Sequence, residues 1–147
     1  MKLQLGFLLC LLAAILGACG SLNDPCEIDS ELSRYVAQVN QWTGDTIKLP
    51  LAKIGFGEVS GEAIAVCRAL RLGVKGKGDR GVFKQILVDR ATWDSLSDNS
   101  RLLVISHELN HCLHGVKDHD ASGLMGAYLD ETLYARTTIT EYANRRK

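Results

Sequence analysis

The stretch Arg101-Leu-Leu-Val-Ile-Ser-His107-Glu108-Leu-Asn-His111-Cys-Leu-His-Gly115 combines an apolar stripe with a cluster of imidazoles. Leu102, Leu103, Ile105, Leu109, Cys112 and Leu113 recur at helical spacing, the polar, cap-rich residues Asp94 to Ser100 precede them, and Gly115 supplies a stop. A helix is predicted here. Within it, His107 and His111 lie one turn apart on the same face, about 6 Å along the axis. Two imidazoles so placed can share one tetrahedral zinc ion. Glu108 then stands beside the position left for water. Zinc lowers the pKa of that water to about 7, and a neighbouring carboxylate can take its proton as it attacks a polarised carbonyl. A solvated surface pair of histidines is the plain alternative. Against it, all four histidines of the chain fall between positions 107 and 119, and the other face of the helix is apolar.

An open catalytic zinc site needs a third protein ligand. His114 shares the face but lies about 10 Å along the axis from His107, too far for three ligands to meet one ion on an intact helix. Gly115 can take a positive φ and reverse the chain, which brings His119 back over the helix end. His119 is therefore the expected third ligand, with Asp118 and Asp120 as lesser candidates or partners that orient a ligand.

The segment resembles the metzincin metallopeptidases, whose pattern is H-E-x-x-H-x-x-G-x-x-H followed by a methionine-containing turn. Here Gly115 stands four residues after His111 and His119 eight after, so the loop is longer than in that family. Ser122-Gly-Leu-Met125 is similar to the methionine turn, and the resemblance implies that Met125 packs beneath the metal and that Tyr128 assists at the transition state. It also implies an extended peptide substrate lying along a sheet edge above the metal. A looser similarity to small bacterial lipoprotein peptidases runs from about Cys67 to Met125. The gluzincin pattern offers a rival, with Glu131 as third ligand twenty residues after His111. His119 is preferred, because little chain follows Glu131 to build a gluzincin's helical subdomain.

At the other end, Lys2 precedes an apolar run from Leu3 to Leu16, too short to span a bilayer comfortably, which reads as an export signal. Leu16-Gly-Ala-Cys19 resembles the lipobox of bacterial lipoproteins. The resemblance implies cleavage after residue 18, lipid on Cys19 and tethering to the membrane, and Gly20 favours the outer membrane, facing the periplasm. Residues 1–18 are then the signal peptide and 19–147 a single domain. With Cys19 lipidated, Cys26, Cys67 and Cys112 remain, enough for one disulfide and one thiol in an oxidising compartment. Sequence alone does not set the pairing; Cys67 with Cys112 is preferred.

Between these ends, Asp24-Pro-Cys-Glu27 reads as a helix start, followed by Ile28, Leu32, Tyr35, Val36, Val39 and Trp42 at helical steps and a stop at Gly44. Residues 63–70 and 82–89 are strand-like. Gly76, Gly78 and Gly81 have the spacing of a dinucleotide-binding loop, but a β-type run follows where a helix N-terminus is needed, so a basic hairpin loop is expected. A final helix is predicted over 129–145. The expected fold is α/β (α+β): a small, mixed, twisted sheet with an N-terminal helix, the zinc helix packed on the sheet and a C-terminal helix. Seventeen basic residues balance seventeen acidic ones, which gives no footprint for nucleic acid. The expected activity is hydrolysis of peptide bonds in a peptide or protein substrate with Zn2+ as cofactor. The alternative is a non-catalytic zinc-binding or envelope-interaction lipoprotein, in which Asp120 or Cys112 closes a four-ligand site.

Overall fold

The strand at residues 83–88 organises the sheet, because it is paired on both sides. In the computed structural model, which describes residues 27–48, 51–70 and 83–147, the elements run β1 (Glu27–Ile28), α1 (Ser30–Thr43), β2 (Leu51–Phe56), β3 (Ala65–Leu70), β4 (Phe83–Val88), α2 (Arg90–Ser95), α3 (Asp98–His114) and α4 (Ala135–Arg146). The strand order is β1-β2-β4-β3. β1 and β4 run parallel to β2, whereas β3 pairs antiparallel with β4, Cys67 opposite Ile86 and Ala69 opposite Lys84. The central position of β4 explains why Gln85, Ile86, Leu87 and Val88 are all buried, a near-continuous run rather than an alternation. β3 is left as an edge. The mixed sheet with helices is the α/β architecture expected from the sequence.

α3 lies between β3 and β4 on one side and α1 and α4 on the other. Its Leu103, Val104, Ile105, Leu109 and Cys112 are accordingly buried over more than one face. A side chain the size of Ile105 gains roughly 2 kcal/mol when it leaves water, so this helix is held by packing more than by propensity. Trp93 of α2, fully buried, meets Tyr35 and Phe56 edge-on at centroid distances of 5.1 and 6.1 Å and closes one end of the core. Ser97 caps α3 by accepting from the Ser100 N–H, and Gly115, at φ 66°, ends it.

Several boundaries differ from expectation. Glu27 and Ile28 form β1, and α1 begins at Ser30 with Asp29 as its cap. The decisive contact is non-local: the Asp29 N–H donates to the Ile54 carbonyl at 2.9 Å, which commits the preceding residues to the sheet. Asp24 and Pro25 lie outside the described residues, as do the export signal, Cys19, Cys26 and the glycine loop at 73–81. The short helix α2, capped by Asp89, was not expected. α4 starts at Ala135 instead of 129, because Asp130 turns the chain by accepting from the Thr132 N–H and hydroxyl, and Asn99 of α3 caps the new helix by accepting from the Ala135 N–H at 2.8 Å. Among the described residues no helix is long and apolar enough to cross a membrane.

Candidate metal centre

α3 carries His107 and His111 on the turn next to its C-terminal end, and the αL residue Gly115 sends the chain back so that His119 meets them. The His111 Nε2 lies 2.9 Å from the Nε2 of His107 and 3.3 Å from that of His119. The three donor atoms all lie within 4.8 Å of one another. Ligands at about 2.1 Å from a tetrahedral zinc sit about 3.4 Å apart, close to this spacing.

The other ring nitrogens decide what the cluster can hold. His107 Nδ1 lies 2.8 Å from the Leu124 carbonyl, and His111 Nδ1 lies 2.6 Å from the Val116 carbonyl. A carbonyl only accepts, so each Nδ1 must carry the proton, and in the neutral rings each Nε2 turns a bare lone pair inward. Two lone pairs 2.9 Å apart repel unless a cation lies between them. A proton is a poor candidate: burial, and secondarily the neighbouring His111 and His119, outweigh the Leu124 carbonyl and push the His107 pKa down to about 4. The group His107, His111 and His119 could bind a metal ion, and it is the one such cluster among the described residues.

Glu108 follows His107 on α3 and lines the same cleft as the three histidines. Glu108 is 6% exposed, the Cys67 N–H on β3 acts on its carboxylate, and Oε2 has no partner among the described residues. Burial raises its pKa to about 7, more than the Cys67 N–H lowers it. A carboxyl poised near neutrality can both accept and return a proton.

No family model, curated protein or solved structure matches this chain. What the site can do rests on its own geometry.

His114 turns away and meets Asp45 at 3.2 Å. Asp118, Asp120 and Glu131 stand outside the convergent group; the Asp120 N–H donates to the Met125 carbonyl at 2.7 Å, which closes the loop carrying His119 onto the methionine turn. Met125 is fully buried, and the residue before it supplies the carbonyl that fixes His107. Tyr128 is 87% exposed at the mouth of the cleft. Cys67 and Cys112 are joined by a disulfide that ties β3 to α3. Three groups escaped the sequence: the Leu124 and Val116 carbonyls and the Cys67 N–H. Backbone atoms carry no residue signature, and only the likeness of residues 122–125 to a methionine turn pointed to that segment.

A cleft of about 650 Å³ opens over the three histidines. One wall is β3, the edge strand among the described residues, the other is α3 from Leu103 to His111, and residues 123–133 close the far side. This size suits a short length of extended peptide.

Proposed function

We propose that the chain is a zinc-dependent peptidase. The observation that carries the reading is the convergence of three imidazoles beside a buried carboxylate whose Oε2 has no partner among the described residues, next to the edge strand β3. Cys112 is consumed by the disulfide, and Asp120 lies outside the cluster, so no fourth protein ligand converges among the described residues. That supports an open, catalytic site over a closed structural one.

A bound zinc ion would supply Lewis acidity, polarising a peptide carbonyl and making water a better acid. The outer N–H and C=O groups of β3, which pair with no strand among the described residues, can hold the backbone of an extended peptide by strand addition. Glu108 takes the proton of the attacking water as its oxygen bonds to the carbonyl carbon, then delivers that proton to the nitrogen as the C–N bond breaks. The Cys67 N–H keeps the carboxylate aimed while Oε2 is free to receive the proton. In this proposal Tyr128, an exposed residue lining the cleft, donates to the developing oxyanion once substrate is bound.

Glu108→Gln keeps the shape of the site and removes the base. The expected outcome is stoichiometric zinc by elemental analysis with peptide cleavage down by about a thousandfold. Full activity in that variant would end the proposal.

We further propose that the protein is exported and tethered to the bacterial outer membrane through lipid on Cys19. The Leu16-Gly-Ala-Cys19 stretch supports this. Cys19→Ser is expected to move the protein from the membrane fraction to the soluble fraction and to abolish labelling by a radioactive fatty acid; unchanged labelling would refute the tether.

A further inference from the structure

The cleft is electrically lopsided along its length. Its two ends are identified by contacts with α3. Asn99, in the first turn, donates to the Leu133 carbonyl at 2.8 Å, while Lys84 Nζ donates to the Cys112 carbonyl in the last turn at 3.0 Å. These points are about 20 Å apart along the axis. At the first end the cleft is lined by Asp130, close to Leu133, and by Glu62, which precedes β3. At the second end it is lined by Arg68, Lys84 and Lys117. None of these three cations forms a salt bridge among the described residues.

Lys84 is the anchor of the basic end. It is half-buried, and the Cys112 carbonyl takes one of its three N–H groups and fixes the ammonium, leaving two without a partner among the described residues. Its cross-strand neighbour on β3 is Ala69, whose methyl leaves the approach open. Arg68 precedes that alanine on the edge strand. Lys117 follows the residue whose carbonyl holds His111. Three positive charges around a concave surface with apolar walls reinforce one another and attract an anion more strongly than the same charges spread over a convex surface.

We propose that this end of the cleft is a carboxylate subsite, selecting peptides that carry an acidic side chain on one flank of the reacting bond. The identification of the ligand as a peptide rests on the peptidase reading. A strand advances about 3.3 Å per residue, and the Cys67 N–H that holds Glu108 is adjacent to Arg68, so the selected side chain lies within about three residues of the bond.

The test measures binding separately from cleavage. Zinc-loaded Glu108→Gln protein is titrated by fluorescence anisotropy with labelled peptides that share one apolar centre and carry either aspartates or lysines on one flank, together with the set having those charges on the other flank. The aspartate peptide of one set is expected to bind at least tenfold more tightly at low salt, and the preference is expected to shrink as salt is added. The exposed pair Arg68→Glu and Lys117→Glu, introduced together with zinc content monitored, is expected to reverse it. Equal affinities in both sets, or a preference that survives the charge reversal, overturn the subsite. The same peptides are then given to protein with Glu108 intact. Cleavage without charge preference sinks the subsite and leaves the peptidase standing; selective binding without cleavage does the opposite.

Discussion

His107 and His111 are each held at Nδ1 by a backbone carbonyl, whereas His119 reaches the cluster from an exposed loop without a hydrogen bond of that kind among the described residues. Pre-orientation by such an outer partner is typically worth about 10- to 100-fold in metal affinity. The three ligands are therefore unequal. His107→Ala should abolish zinc retention in competition with a chelating dye, His119→Ala should weaken it but leave it measurable, and Glu131→Ala should leave it unchanged. Zinc loss in the Glu131 variant alone would transfer the third position to that residue. The two helical histidines and the glutamate were legible in the sequence because their spacing is local and the helix period translates it directly into geometry. His119 was legible only through Gly115, whose αL conformation turns the chain. The carbonyls that select the tautomers were not, since any residue at positions 116 and 124 would present one.

At the scale of elements, the site is a junction between α3 and the edge strand β3. One residue joins them twice: the Cys67 N–H reaches Glu108, and the Cys67 sulfur is bonded to Cys112, next to His111. The disulfide closes a loop with a sequence separation of 45, for which the chain-entropy relation gives about 4 kcal/mol. Cys67→Ala with Cys112→Ala should lower the free energy of unfolding by a large part of that amount in urea titration, and should reduce peptide cleavage more than zinc content, because the helix retains its histidines while the strand that aims Glu108 is released. An equal fall in both would show the bond to be merely structural. Elements with strong local period, α1 and α3, were readable to within a few residues. β1 was not, because two residues become a strand only by pairing with Ile54 and its neighbours in β2. The start of α4 was displaced for the same kind of reason: Asn99, supplied by another helix, caps it.

For the molecule as a whole, the end of the C-terminal helix is fastened to α3 and to the end of α1 by a polar clasp. Arg146 donates to Asn110, in the middle of the His-Glu-Leu-Asn-His run, and to Asp45 at 2.7 Å; Asp45 also meets His114 at 3.2 Å. The Asp45 side chain is 22% exposed, so solvent screens this network only in part. Burial alone would raise the Asp45 carboxyl, but the hydrogen bonds from Arg146, Thr43 and His114, with the Arg146 charge, outweigh it and hold the pKa below the ordinary carboxylate value. The sign follows: the folded state binds the Asp45 proton less readily than the unfolded chain, so the contribution is complete above about pH 4 and is lost as pH falls through the depressed folded value. Asp45→Asn should therefore lower stability by roughly 1 to 3 kcal/mol at neutral pH, since it leaves Arg146 partly buried without its counter-charge. In chelator-treated protein, where metal binding cannot mask the effect, the thermal midpoint of the variant should lie about 4 to 10 °C below that of the parent at pH 7, and the gap should close as the pH is lowered toward 3. A gap that stays constant across that range would mean that Asp45 acts through shape and hydrogen bonding alone, and that its charge does not help hold the last helix against α3.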